Sequence, residues 1–306
     1  MVIHKLRQAG FSLVELVIVI TIAGIVAALS ALMIGDQMLA FVDSSRRSDL
    51  VNNAETAVRY MAKDIRRALP NSLRTTTSGS REYLEFVPIE GAGRYRAEIG
   101  ATSAAVDVLD FSLEDDSFQV IGVTSAFPSV NNNSRLVIYN IGQVDGSGDP
   151  VDGANVYAGV ASDGASGAVP VLDSHVITAE SNTISYDALD SSIIELATAH
   201  QFAFESPQKR FYVVEGAVTY ECDPVAQEII KYSGYTDLET DQPDDSSSAP
   251  LSGATSSTVI DKVTACEFNY AQGNAQRSAL LTITLTIEED GESINLLHQV
   301  HVDNAP

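Results

Sequence analysis

The sequence predicts an α+β fold in which one long N-terminal helix leads into a mainly antiparallel β-sheet head. Three observations predict it. Residues 11–35 form an apolar run with a single charge, Glu15. From Leu50 onward, apolar residues recur in steps of three and four, the spacing of one helix face. Beyond Pro70, short segments rich in Val, Ile, Tyr and Phe recur to the end of the chain, several of them alternating apolar with polar. The elements divide the chain into a leader (1–10), a membrane-spanning helix half (11–35), an amphipathic helix half (36–69) and a β-rich head (70–306).

The leader carries Lys5 and Arg7 and no acid. About 20 apolar residues cross a bilayer as a helix, and a positive flank stays on the cytoplasmic side. The run after the leader is long enough, so the remainder of the chain is expected outside. Three readings fit: a secretory signal cut near Ala27-Ala28-Leu29-Ser30-Ala31, an uncleaved anchor, or a chain cut before the apolar run at Gly10–Phe11. Glu15 separates them. A carboxylate inside an apolar helix costs about 3 kcal/mol, and neither a signal peptide nor a plain anchor has a use for it. A helix that later packs beside identical helices does, because the acid can pair with a neighbour's amine.

The segment Gly10-Phe11-Ser12-Leu13-Val14-Glu15-Leu16 resembles the processing motif of type IV prepilins and type II secretion pseudopilins. The resemblance implies that a membrane prepilin peptidase cuts after Gly10 and methylates Phe11. It places Glu15 at the family's acidic position, where the side chain meets the N-terminal amine of the preceding subunit during assembly. It also implies a single-pass inner-membrane precursor, N-terminus cytoplasmic and head periplasmic, that moves into a pilus at the cell surface. The implied partners are the prepilin peptidase, major and other minor pilins, and the inner-membrane assembly platform.

The second helix half is read from Leu50, Ala54, Ala57, Val58, Met61, Ile65, Ala68 and Leu69, which form one stripe. Arg46, Arg47, Arg59, Lys63, Arg66 and Arg67 lie mostly off it, as a solvated face that can also meet the acidic head of a neighbouring subunit. Pro70-Asn71 ends the helix. A helix from Phe11 to Leu69 spans about 90 Å at 1.5 Å per residue, with Gly24 and Gly35 as soft points.

Strands are predicted at Tyr83–Val87, Val106–Phe111, Ser117–Ile121, Arg135–Tyr139, Arg210–Glu215, Ala217–Cys222, Glu228–Tyr232, Lys262–Tyr270, Leu280–Glu288 and Ser293–Val302. Asp290-Gly291 is a hairpin turn between the last two, and Ser191–His200 reads as a short helix. Gly142–Gly167 and Asp237–Thr258, the latter holding Asp244-Asp245, read as surface loops. The head shows no internal repeat or domain boundary.

Residues 97–306 carry 6 Lys/Arg against 32 Asp/Glu, a net charge of −26 within a chain total of −23. That excludes nucleic-acid binding through phosphates, which needs Lys and Arg to displace counterions. It suits solubility outside the cytoplasm and loose cation binding. The two cysteines, Cys222 and Cys266, read as one disulfide in an exported chain, or otherwise as two buried thiols. Asp145, Asp149 and Asp152 on a Gly-rich loop are a candidate calcium set, although their spacing fits no standard calcium loop. His298 and His301 fall on opposite faces of a strand and do not suggest zinc. No catalytic triad pattern, P-loop or dinucleotide fingerprint appears, so no enzyme is expected.

In the C-terminal third, Arg210–Cys222, Val263–Phe268 and Leu296–Pro306 resemble the MshO-type minor pilins of the mannose-sensitive haemagglutinin (MSHA) pilus system. The segment Ala54–Arg74, including Ile65-Arg66-Arg67-Ala68-Leu69-Pro70-Asn71-Ser72, is similar to the same group and to J-type pseudopilins. This resemblance implies a low-abundance subunit supporting assembly or initiation of the pilus, with Cys222 and Cys266 paired in the head. The alternatives are a J-type minor pseudopilin of a type II secretion system and an adhesive binding module at a pilus tip. The middle, roughly 90 to 200, leaves room for glycan recognition, yet shows no aromatic-rich site, and the chain has no Trp.

Overall fold

The computed structural model describes residues 10–98, 107–122, 127–158, 174–273, 279–302 and 304. Residues 1–9 of the expected leader lie outside the described residues. The fold is α+β: an N-terminal apolar helix followed by a domain of antiparallel sheets.

Helix α1 runs from Leu13 to Ile65 and passes without a break through Gly24 and Gly35. It ends four residues earlier than its apolar stripe suggests. Arg67 and Ala68 close tighter turns onto the carbonyls of Asp64 and Ile65. The Leu69 amide then donates to Val87 at 2.7 Å, and the Ile89 amide to Arg67 at 2.8 Å. Pro70 disfavours helical backbone at Leu69, and the segment takes up strand-like pairing instead. The chain divides into two compact units inside α1, Met1–Asn52 and Asn53–Pro306. Residues 53–65 therefore belong with the head. Their stripe explains it: Ala54, Ala57, Val58, Met61 and Ile65 are all buried.

Fourteen strands are defined among the described residues: β1 (Arg74–Ser78), β2 (Arg81–Phe86), β3 (Gly91–Arg94), β4 (Asp115–Gln119), β5 (Arg135–Val137), β6 (Ile184–Tyr186), β7 (Ile193–His200), β8 (Arg210–Val214), β9 (Ala217–Asp223), β10 (Glu228–Tyr235), β11 (Thr255–Asp261), β12 (Val263–Ala271), β13 (Ala279–Glu289) and β14 (Glu292–Val302). They form one five-stranded sheet, β1-β2-β9-β10-β11, and three three-stranded sheets, β12-β13-β14, β3-β8-β5 and β4-β7-β6.

Alternation gives the five-stranded sheet two different faces. On one, Leu84, Phe86 and Tyr220 lie under the last turns of α1, where Asp64 accepts from the Tyr220 hydroxyl at 2.8 Å and pairs with the Lys231 ammonium at 2.5 Å. On the other, Tyr83, Glu85, Thr219 and Glu221 face a core that includes Tyr157, Tyr235, Leu238 and Leu251. A second core, around Tyr95, Phe118, Phe202 and Phe211, lies between the sheets β3-β8-β5 and β4-β7-β6. In β13 the clean alternation buries Leu281, Ile283, Leu285 and Ile287, and the β13–β14 turn has Asp290 and Gly291 both at positive φ (49° and 85°), as its residue types predict.

Cys222 on β9 and Cys266 on β12 form a disulfide across 44 residues, joining the five-stranded sheet to β12-β13-β14. The chain-entropy estimate for a loop of that length is about 4 kcal/mol. Replacing both cysteines by serine is expected to lower the midpoint of thermal unfolding by roughly 10 °C, read by circular dichroism without reductant. An unchanged midpoint would contradict this role.

Four further expectations are corrected in whole or in part. Ser191–His200 supplies strand β7 rather than a helix. It pairs with both β4 and β6 and buries Ile194 and Leu196, and so short an apolar run does not separate the two states by pattern. Val106 lies outside the described residues, and 107–111 forms no strand. Leu109 is buried, but Asp110 turns the chain by accepting from the Ser112 amide and hydroxyl. Asp237–Thr258 is not a surface excursion: Leu238 and Leu251 enter the core and Thr255 begins β11. Gly142–Gly167 stays on the surface over Gln143–Asp149, as expected, and turns inward only from Ala154, with Val156 and Tyr157 buried and the Tyr157 hydroxyl donating to the Ser72 carbonyl at 2.8 Å. Residues 159–167 of that loop lie outside the described residues.

Candidate functional site

The Gly10–Phe11 bond sits ahead of α1. Ser12 caps the helix: its hydroxyl accepts from the Glu15 amide at 3.2 Å, and its carbonyl accepts from the Leu16 amide at 3.1 Å. The backbone before it is therefore free of the helix ladder. Phe11 is 80% exposed, and Gly10 is exposed as well. Among the described residues other than its chain neighbours, a Cβ added at Gly10 would meet nothing within 4 Å. Nothing in the fold asks for glycine there, so a demand for a small residue belongs to whatever reads that bond.

Glu15 lies in the first turn, where the helix dipole favours a negative charge. Ser12 and Glu15 have the spacing of a capping box. The stretch Leu13–Ser30 is long and apolar enough to cross a membrane, and none of it is buried. Leu13, Leu16, Ile18, Ile20, Ile25 and Leu29 are all more than half exposed. Thr21, near its middle, satisfies its hydroxyl inside the helix by donating to the carbonyls of Val17 (3.0 Å) and Ile18 (2.9 Å), as a hydrocarbon surround requires. Apolar surface on every side of a helix calls for lipid or other helices around it.

The prokaryotic N-terminal methylation motif, as a family model, matches residues 5–31. That match supports a type IV prepilin- or pseudopilin-type protein. The matched residues take in part of the basic leader, the Gly10–Phe11 bond, Glu15 and the apolar helix, and end before the head. The motif implies processing by prepilin peptidase and pilin-family assembly, and the single apolar helix fits the single-pass anchor of a prepilin. No curated protein and no solved structure matches the chain.

The candidate calcium set does not assemble. The Asp145 carboxylate is occupied by its own turn, accepting from the amides of Ser147 (2.7 Å) and Asp149 (3.1 Å). Asp152 points instead to His175, its Oδ1 lying 3.2 Å from Nδ1. Among the described residues, no group of three or more His, Cys, Asp and Glu side chains is placed to hold a metal ion. His298 and His301 lie on opposite faces of β14, as their spacing predicts.

Sequence reading missed a polar network beneath the covering segment 236–254. Glu85 and Glu221, fully or almost fully buried on β2 and β9, lie among tyrosines. Glu85 accepts from Arg74 (2.6 Å) and the Tyr235 hydroxyl (2.9 Å), and Glu221 accepts from the hydroxyls of Tyr83 (2.9 Å) and Tyr232 (2.8 Å). Burial pushes the Glu85 carboxyl above its ordinary value, against Arg74, which draws it down. Arg74 also donates to the carbonyls of Glu239 and Thr240 and stacks over Tyr157 at 3.6 Å, which ties the covering segment to the sheet. In a strand, a glutamate alternating with apolar residues reads as solvent-facing, and no local signal marks these two as buried.

Proposed function

We propose that the chain is a minor pilin supporting assembly or initiation of an MSHA-type pilus, acting by assembly rather than catalysis. The observation that carries the reading is the exposed Gly10–Phe11 bond immediately before an unburied apolar helix with Glu15 in its first turn. The precursor sits in the inner membrane with its head periplasmic. Prepilin peptidase cuts after Gly10 and methylates Phe11. The helix then leaves the bilayer and repacks against neighbouring pilin helices, and Glu15 pairs with the N-terminal amine of the preceding subunit. In lipid that carboxylate costs about 3 kcal/mol, and pairing in the filament removes the penalty. The resemblance of Arg210–Cys222, Val263–Phe268 and Leu296–Pro306 to MshO-type minor pilins supports the pilus over other filaments.

The similarity of Ala54–Arg74 to J-type pseudopilins supports a second reading, a minor pseudopilin of a type II secretion system. Deleting the gene and scoring surface pili against secreted enzymes separates the two. Loss of surface pili with secretion intact is expected. Loss of secretion with pili intact would overturn the pilus reading in favour of the secretion filament.

A further inference from the structure

Among the described residues of the head, two cations stand apart from the rest. Among the described residues beyond Pro70, Arg74, Arg81, Lys209, Lys231 and Lys262 each engage a carboxylate. Arg96 donates to the Gln119 side chain and Arg135 to the Thr178 carbonyl. The guanidinium groups of Arg94 and Arg210 have no such partner among the described residues, although residues 97–306 carry 32 acids. They are also register partners, directly opposite each other on β3 and β8. Like charges directly opposite across a sheet oppose its pairing, so the arrangement does not serve the sheet.

Both arginines line one hollow of about 300 Å³, together with Gly93, Ile121, Gly122 and Phe127. Phe127 also borders a second hollow of about 350 Å³, lined by Val130 and Tyr186. Phe127 and Tyr186 stack with centroids 5.9 Å apart, and the Tyr186 hydroxyl donates to the Pro128 carbonyl at 2.8 Å. The site is held in shape by two glycines of β3. A Cβ at Gly93 would come within 2.4 Å of the buried Phe211 ring, and one at Gly91 within 2.4 Å of Pro128, the neighbour of Phe127. Ile121, half exposed, adds apolar surface beside the arginines.

The geometry points to a binding site for an acidic saccharide, whose carboxylate bridges Arg94 and Arg210 and whose ring faces rest on Phe127 and, one subsite further, on Tyr186. Paired guanidiniums suit a carboxylate because its two oxygens accept charge-assisted hydrogen bonds from both. Hollows of this size, largely apolar with a few convergent polar groups, suit a small ligand. An acidic protein segment is disfavoured because its flexible carboxylate side chains offer no ring face to Phe127 and Tyr186, which line the two hollows.

The test is isothermal titration of the full chain in detergent micelles with tetragalacturonate, its methyl ester and polyglutamate. Tetragalacturonate should bind, its ester about tenfold or more weakly, and Arg94→Gln or Arg210→Gln should each weaken the acid about tenfold or more. Lys209→Gln, next to the site but changing a cation engaged with Glu205, should bind as the parent does. The unfolding midpoint of Arg210→Gln should not fall, because an opposed like charge is removed. No binding of tetragalacturonate, equal binding of acid and ester, or unchanged binding by both arginine variants overturns the proposal. Polyglutamate binding at least as well as the saccharide also overturns it, assigning the arginines to an acidic protein segment.

Discussion

Replacing Gly10 with a bulky residue, as in Gly10→Leu, leaves the leader attached and reduces maturation by about a hundredfold or more, the scale set when a scissile bond cannot be seated in a catalytic site. The fold itself is expected to be indifferent. Among the described residues other than its chain neighbours, nothing lies within 4 Å of a Cβ at this position, and α1 is capped independently by Ser12. An effect on maturation with none on the unfolding of the head therefore isolates recognition by the peptidase. The readout is the ratio of precursor to mature chain in membrane extracts. Normal maturation of Gly10→Leu contradicts the proposed cut site.

Glu15→Ala should separate processing from assembly. The cut lies four residues upstream of Glu15, and α1 keeps its cap from the Ser12 hydroxyl to the residue-15 amide whatever the side chain, so maturation should proceed. Incorporation should not. Removing one member of a buried ion pair leaves the other uncompensated at about 3–5 kcal/mol, which amounts to more than a hundredfold in an assembly equilibrium. The substitution also removes the penalty of a carboxylate in lipid, so the variant is more at ease in the bilayer and less so in the filament. Glu15→Gln keeps the shape and loses the charge, and should resemble alanine. The measurement is the amount of subunit in sheared filaments relative to the membrane fraction. Normal incorporation of Glu15→Ala contradicts the mechanism.

The parts of this molecule most legible in its sequence are those governed by local rules. The apolar run after Gly10, the stripe from Ala54, the alternation of Thr282–Ile287 and the Asp290-Gly291 turn each declare themselves through periodicity or turn chemistry, and the structure follows them. Illegible features depend on partners distant in sequence. Ala68 and Leu69 continue the helical stripe, yet Val87 takes up the Leu69 amide. Ser191–His200 has the composition of either element, and β4 and β6 decide it. Strands β1, β3 and β6 lack an apolar run of their own and exist through pairing with β2, β8 and β7. Arg74–Glu85 and the tyrosine-held Glu221 look like surface charges until segment 236–254 covers them. At the candidate site the asymmetry is the same. Gly10, Phe11 and Glu15 form a contiguous motif, whereas Arg94 and Arg210 meet only through strand register.

The assembly mechanism depends on the cut between Gly10 and Phe11, and mass spectrometry of the N-terminal peptide of the membrane-extracted protein tests it most directly. It predicts a peptide that begins at Phe11 and carries one additional methyl group. An intact Met1, or a start near Ser30 or Ala31, would contradict it, and the assembly mechanism built on Glu15 would fall with it.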